Sequence, residues 1–219
     1  MIVMQYANDG NLLSYLDQNI NKLTWRMKLQ CLYDIAYDLG SIHSAGFVHC
    51  DLHGGNIVLD SYDEDQVSWP YICNFGLSRS VNSCESNSTI QGVLSFTAPE
   101  VFHTRKFTQK SDIYAFGIIM HLMATGEPPF GEYSFDKCLA MRICEGLRPL
   151  MPDFAPEAYK KLAKRCCDAD PDKRPNVWGL KGDIDRLIRK VDKDNSDNNT
   201  WNTIYHNDVK TLVTSREGE

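Results

Sequence analysis

The sequence predicts an α+β fold that is mainly helical, a bundle of helices carrying one small β-hairpin. Three observations lead there. Residues 25–42 repeat apolar side chains at a helical period, and residues 109–125 are apolar almost throughout. Between them, two short apolar runs, Ile57–Leu59 and Tyr71–Cys73, have the length and the β-branched or aromatic content of paired strands.

Met1 to Gln5 is an apolar, strand-like run that Asn8-Asp9-Gly10 breaks with turn chemistry. Asn11 is a good N-cap for a short helix reaching about Asp17. Thr24 caps a longer helix with an apolar stripe through Trp25, Leu29, Leu32, Ile35, Ala36, Leu39 and Ile42, and Gly46 ends it. The two strand-like runs follow, joined by the polar stretch Ser61 to Gln66. Ser78 to Gln91, rich in Ser and Asn with little to bury, reads as a mobile surface loop. Residues 109–125 are too apolar for a surface helix and imply burial on most sides. Amphipathic helices are expected near 134–145 and 156–167, and Pro175 suits the start of a last helix to about Val191. The sequence therefore reads as one domain over residues 1–192, followed by a polar, weakly ordered tail over 193–219.

The 219 residues carry a net charge of −6 and no dense basic patch, which argues against nucleic acid or an anionic membrane as partner. No signal peptide opens the chain, and no apolar run approaches the ~20 residues of a membrane span. The 8 cysteines include no C-x-x-C, a usage that fits reduced thiols and a cytoplasmic, intracellular, or nuclear location.

The chemistry-bearing residues cluster in two runs, His49-Cys50-Asp51-Leu52-His53-Gly54-Gly55-Asn56 and Asn74-Phe75-Gly76, with Ala98-Pro99-Glu100 further on. In order and spacing they resemble the catalytic loop H-R-D-L-x-x-x-N, the D-F-G metal loop and the A-P-E of protein kinases. The resemblance, to tyrosine-kinase-like and serine/threonine types, covers roughly residues 1–190 and implies the family's large C-terminal lobe. It implies ATP and Mg²⁺ as cofactors and a protein substrate or protein partner. Oligomeric state is not legible.

Carried over residue by residue, the resemblance makes Asp51 the base that takes the proton of the attacking hydroxyl. Asn56 becomes a metal ligand, and His53 stands where serine/threonine kinases carry a lysine that touches the γ-phosphate. Met4, Gln5 and Ala7 resemble the hinge that borders adenine, and Val58 the apolar floor beneath it. His49 resembles a structural histidine under Phe75, Asp112 the aspartate that holds the catalytic-loop backbone, and Arg174 the arginine paired with Glu100.

Four departures stand out. Asn74 replaces the metal-binding aspartate. At an effective dielectric of ~20, the missing charge ~4 Å from a divalent ion is worth a gross ~8 kcal/mol. A third of that lost is about 100-fold in binding or rate. Asn74 is open to two readings, a weakened metal ligand or a polar turn residue in a fold that no longer needs metal. Cys50 replaces an arginine that reads activation-loop phosphates, and Val93 lacks the hydroxyl many serine/threonine kinases place there. The fourth departure is the smaller β-lobe: its Gly-rich loop, strand lysine and partner glutamate have no counterpart before Met1 to Gln5. The resemblance thus implies an absent N-terminal lobe, with three readings open: an impaired, pseudokinase-like phosphotransferase, a non-catalytic partner-binding module, or a truncated product of an active kinase gene.

Overall fold

A computed structural model describes residues 6–61, 68–83, 93–134 and 136–197. The strand expected at Met1 to Gln5, most of the 61–66 connection, and the polar tail from residue 198 lie outside the described residues.

Seven α-helices and four short strands follow one another within the described residues. Helix α1 (Leu12–Asn19) starts where Asn11 accepts the amide hydrogen of Ser14 at 3.0 Å. Helix α2 (Trp25–Ser44) starts where Thr24 accepts from the Met27 amide at 3.3 Å. Both caps satisfy a donor that the first helical turn leaves unpaired. Gly46, at φ +79°, turns the chain out of α2 in a conformation that costs other residues strain. The expected stripe of α2 faces the core, with Trp25 to Leu39 buried and Ile42 half-buried against it, and His43 is buried beside them.

Two small antiparallel sheets follow. Strands β2 (Ile57–Asp60) and β3 (Trp69–Ile72) form the expected hairpin, with Ile57 opposite Ile72 and Asp60 opposite Trp69. A second pairing joins β1 (Phe47–Val48) to β4 (Arg79–Ser80), where the sequence suggested loop from Ser78 onward. Strands of two residues are too short to show alternation, so composition alone decided that expectation. Residues 84–92, the rest of that stretch, lie outside the described residues.

Helix α3 (Pro99–Thr104) carries Glu100, and α4 (Gln109–Thr125) is the axis of the fold. Every residue of α4 from Ser111 through Ala124 is buried, as a helix apolar on all sides must be. Its start is a capping box between Thr108 and Ser111. Helix α5 (Lys137–Cys144) begins later than expected because Asp136 accepts from the amides of Cys138 and Leu139, at 2.8 and 3.2 Å. Helix α6 (Glu157–Cys166) lies against α4, where Gly117 allows close approach: a Cβ there would fall 2.5 Å from Cys167 Sγ.

Helix α7 (Val177–Asp197) starts two residues after Pro175 and runs past Val191. Asn176, not the proline, supplies the cap, accepting from the Gly179 amide at 2.8 Å. Its buried line Leu180, Ile184, Leu187, Ile188 and Val191 lies along α2 at helical spacing. A single core of buried aliphatic and aromatic residues joins α1, α2, α4, α5, α6 and α7. Among the described residues no helix is long and apolar enough to cross a membrane.

Candidate active site

The segment from Val48 to Asn56 crosses one end of α4 and is held from beneath by Asp112. Asp112 Oδ2 accepts from the His49 amide at 2.9 Å and lies 2.8 Å from His43 Nε2, while Oδ1 accepts from the Cys50 amide at 3.1 Å. These groups are buried, so the bonds replace water that cannot reach them. They also hold Cys50 at φ +69°, a left-handed conformation that costs an L-residue about 1 kcal/mol or more.

Beyond that bend, Asp51, Asn56 and Asn74 form one hydrogen-bonded chain. Asn56 Nδ2 donates to the Asp51 carbonyl at 2.8 Å and to Asp51 Oδ2 at 3.0 Å. An ionised carboxylate and a carbonyl only accept, so Asn56 must turn its NH₂ toward Asp51 and its oxygen away. That oxygen accepts from Asn74 Nδ2 at 3.1 Å. Asn74 sits at φ 63°, ahead of one 3-10 turn over Phe75–Leu77.

His53 points an imidazole at the same carboxylate, with Nε2 3.7 Å from Asp51 Oδ2, beyond hydrogen-bond reach. Its Nδ1 accepts from the Gly55 amide at 3.0 Å, which puts the proton of the neutral ring on Nε2. Burial pushes its pKa below the ordinary histidine value, against the pull of Asp51. The group at position 53 is thus a neutral donor rather than a cation.

His49 is fully buried, with Nε2 3.0 Å from the Cys73 carbonyl and its ring meeting Phe75 edge-on at 5.5 Å between centroids. Phe75 itself is half-exposed. Arg174 is buried and grips Glu100 with both ends of its guanidinium, each bond 2.7 Å long. It also donates to the carbonyls of Asp168 at 2.8 Å and Lys110 at 2.9 Å. The Cys50 thiol is buried, and burial raises its pKa to about 12, so it supplies neither a cation nor a thiolate there.

Of the residues expected at a nucleotide, Met4 and Gln5 lie outside the described residues. Ala7 and Val58 are both half-buried, on segments stitched together by Asp9 N to the Leu59 carbonyl (3.1 Å) and Leu59 N to the Gly10 carbonyl (2.8 Å). Sequence reasoning missed His43 as a partner of Asp112. The available signal was a polar residue four places after Leu39, in the buried stripe of α2, which demands a buried partner.

As arranged, these donors do not fit a magnesium ion. The Asn56 oxygen that would ligate it already accepts from the Asn74 NH₂ at 3.1 Å, and that amide brings no negative charge. Among the described residues no three His, Cys, Asp or Glu side chains gather to hold a metal.

The family profile described as protein tyrosine and serine/threonine kinase matches residues 1–184. A putative serine/threonine-protein kinase/receptor of Acanthamoeba polyphaga mimivirus is 34% identical over 178 residues, 80% of this chain and 10% of that protein. The probable serine/threonine-protein kinase pats1 of Dictyostelium discoideum is 31% identical over 191 residues, 86% of this chain and 6% of its own length. The dual specificity protein kinase shkA of the same organism is 33% identical over 187 residues, 82% of this chain and 34% of that one. The chain therefore spans between about a twentieth and a third of the length of these relatives.

Proposed function

The chain belongs to the protein kinase family, and from that premise we propose a site descended from ATP-dependent phosphotransfer to protein serine or threonine hydroxyls, with turnover strongly impaired. The observation that carries this reading is the bond from Asn74 Nδ2 to Asn56 Oδ1. Phosphoryl transfer depends on positioning and on neutralising phosphate charge, and the ion supplies most of that charge. Here Asn56 Oδ1 is taken by the Asn74 amide, and the neutral His53 adds no cation. Serine/threonine specificity is favoured because the mimivirus and pats1 relatives are named for it, and shkA, named for dual specificity, keeps tyrosine as the second reading.

The base side of the site is intact by contrast. Asn56 holds Asp51 through Oδ2, and in this reading the other carboxylate oxygen takes the proton of an approaching hydroxyl. Asp51 as the base, Asn56 as its positioning residue, and Ala7 with Val58 as adenine contacts are parts of this reading.

Thermal unfolding with ATP, with and without magnesium, tests it. The wild-type melting temperature should not respond to magnesium, and Asn74→Asp should create a response. Phosphate transfer from ATP to a protein acceptor by the wild-type chain, abolished in Asp51→Asn, would overturn the proposal.

A further inference from the structure

Away from the catalytic loop, a cavity of about 460 Å³ lies between α4, the segment joining α5 to α6, α6 itself and the turn after it. That volume is within the range of small-molecule sites, roughly 300–1,000 Å³. Pro149, Leu150, Met151 and Ala163 give it apolar walls, and the Leu150 side chain stands 87% exposed beside it.

Two features of the lining point to a ligand, an imidazole nitrogen without a partner and cations without an acid. His121, on α4, is only 8% exposed, and its Nδ1 is buried without a hydrogen-bond partner. Burial drives the ring toward its neutral form, which leaves one ring nitrogen with a bare lone pair, and Nδ1 is the one without a partner in the fold. A buried acceptor left so costs about 1–3 kcal/mol until a donor reaches it.

The second feature is cationic. Arg148 is fixed by bonds to the carbonyls of Cys167 (2.8 Å), Ile143 (2.9 Å) and Leu147 (2.7 Å), and stacks 5.0 Å from the Tyr114 ring. Among the described residues, neither Arg148 nor the exposed Lys164 enters an ion pair. Lys160 is matched by Glu157 at 2.6 Å. The acid of the wall, Asp168, has Oδ1 engaged by the Asp170 amide at 2.9 Å.

We propose that this cavity binds a small amphipathic carboxylic acid, with its apolar body against Pro149, Met151 and Ala163, its carboxylate toward Arg148 and Lys164, and one O–H or N–H donor at His121 Nδ1. A neutral lipid brings no charge to Arg148 or Lys164, neither of which has an acidic partner among the described residues. A phosphate lacks the apolar body that the walls would cover.

Para-hydroxyphenylpropionate is a suitable probe, titrated into the whole chain and followed by methyl NMR. Saturable shifts are expected at Leu150, Met151 and Ala163. Phenylpropionate, which lacks the donor, and para-hydroxyphenylpropanol, which lacks the carboxylate, should each bind about fivefold or more weakly. Lys164→Glu, an exposed change that leaves folding intact, should weaken the hydroxy acid by a similar factor and the propanol little. Absence of saturable shifts with the hydroxy acid overturns the proposal. So does equal binding of all three compounds, or an affinity that Lys164→Glu leaves unchanged.

Discussion

The side-chain amide of Asn74 donates to Asn56 Oδ1 at 3.1 Å, a bond that an aspartate at position 74 could not make. An aspartate would bring carboxylate oxygen against amide oxygen, and only a cation between them would make that contact favourable. Asn74 is exposed, so water shares the loss, and Asn74→Asp should cost about 0.5–1.5 kcal/mol in metal-free buffer and regain much of it on adding magnesium. Urea unfolding of both proteins, with and without the ion, reads both halves. A variant as stable as wild type without metal would remove the structural role assigned to Asn74.

Arg174 is buried, with both ends of its guanidinium on Glu100 and two backbone carbonyls completing its set. Removing one member of such a pair strands the other charge, so Arg174→Met should lose about 3–5 kcal/mol. Arg174→Lys should lose a large part of this too, because an ammonium cannot make the parallel bonds. Denaturant midpoints compare the three, and a lysine variant of wild-type stability would contradict the bidentate account.

Lys28 is fully buried on α2, bonds to the Ala124 carbonyl at 3.3 Å, and has a pKa pushed by burial from about 10.5 down to about 7. Between those values the unfolded chain holds a proton that the folded chain releases, so raising the pH favours the folded state. Stability should rise by about 1 kcal/mol from pH 7 to pH 8. The window closes near pH 9, where Cys31, Cys50 and Cys167, each raised to about 12 in the fold, begin to ionise in the unfolded chain and reverse the slope. Chemical denaturation across this range should show the rise in wild type and lose it in Lys28→Met.

Asp112 accepts from two backbone amides and contacts His43, all out of water. Asp112→Asn keeps the shape but must turn an N–H toward one of these groups. It should cost about 1–3 kcal/mol and increase hydrogen exchange at the His49 and Cys50 amides. Unchanged protection of those two amides would show that the loop holds its bend without Asp112.

How legible each element was depended on its length. The buried α4 and the stripe of α2 spread over several turns, and both are where periodicity placed them. The pairing of Phe47–Val48 with Arg79–Ser80 spans two residues a side and left no pattern to read. Pro175 suggested a helix start, but Asn176 holds the cap because its side chain reaches the Gly179 amide. At the site, the motifs named Asp51, Asn56 and Asn74, while the direction of the amide chain joining them was not readable. It depends on Asp51 being a pure acceptor, which fixes the face of Asn56 and then that of Asn74. The cavity beside His121 was invisible for a related reason, since its walls come from segments far apart in sequence.

Asp112 reaches the catalytic loop through backbone amides of His49 and Cys50, and backbone amides are the same whatever side chains the loop displays. The bend at Cys50 is therefore set by a residue outside the reactive group. Substitutions at 51 and 74 leave that anchorage untouched, whereas the side chains of 53 and 56 also bond loop backbone, at Gly55 and Asp51. A lineage released from the demand for turnover would keep inheriting a well-folded surface, free to acquire other work.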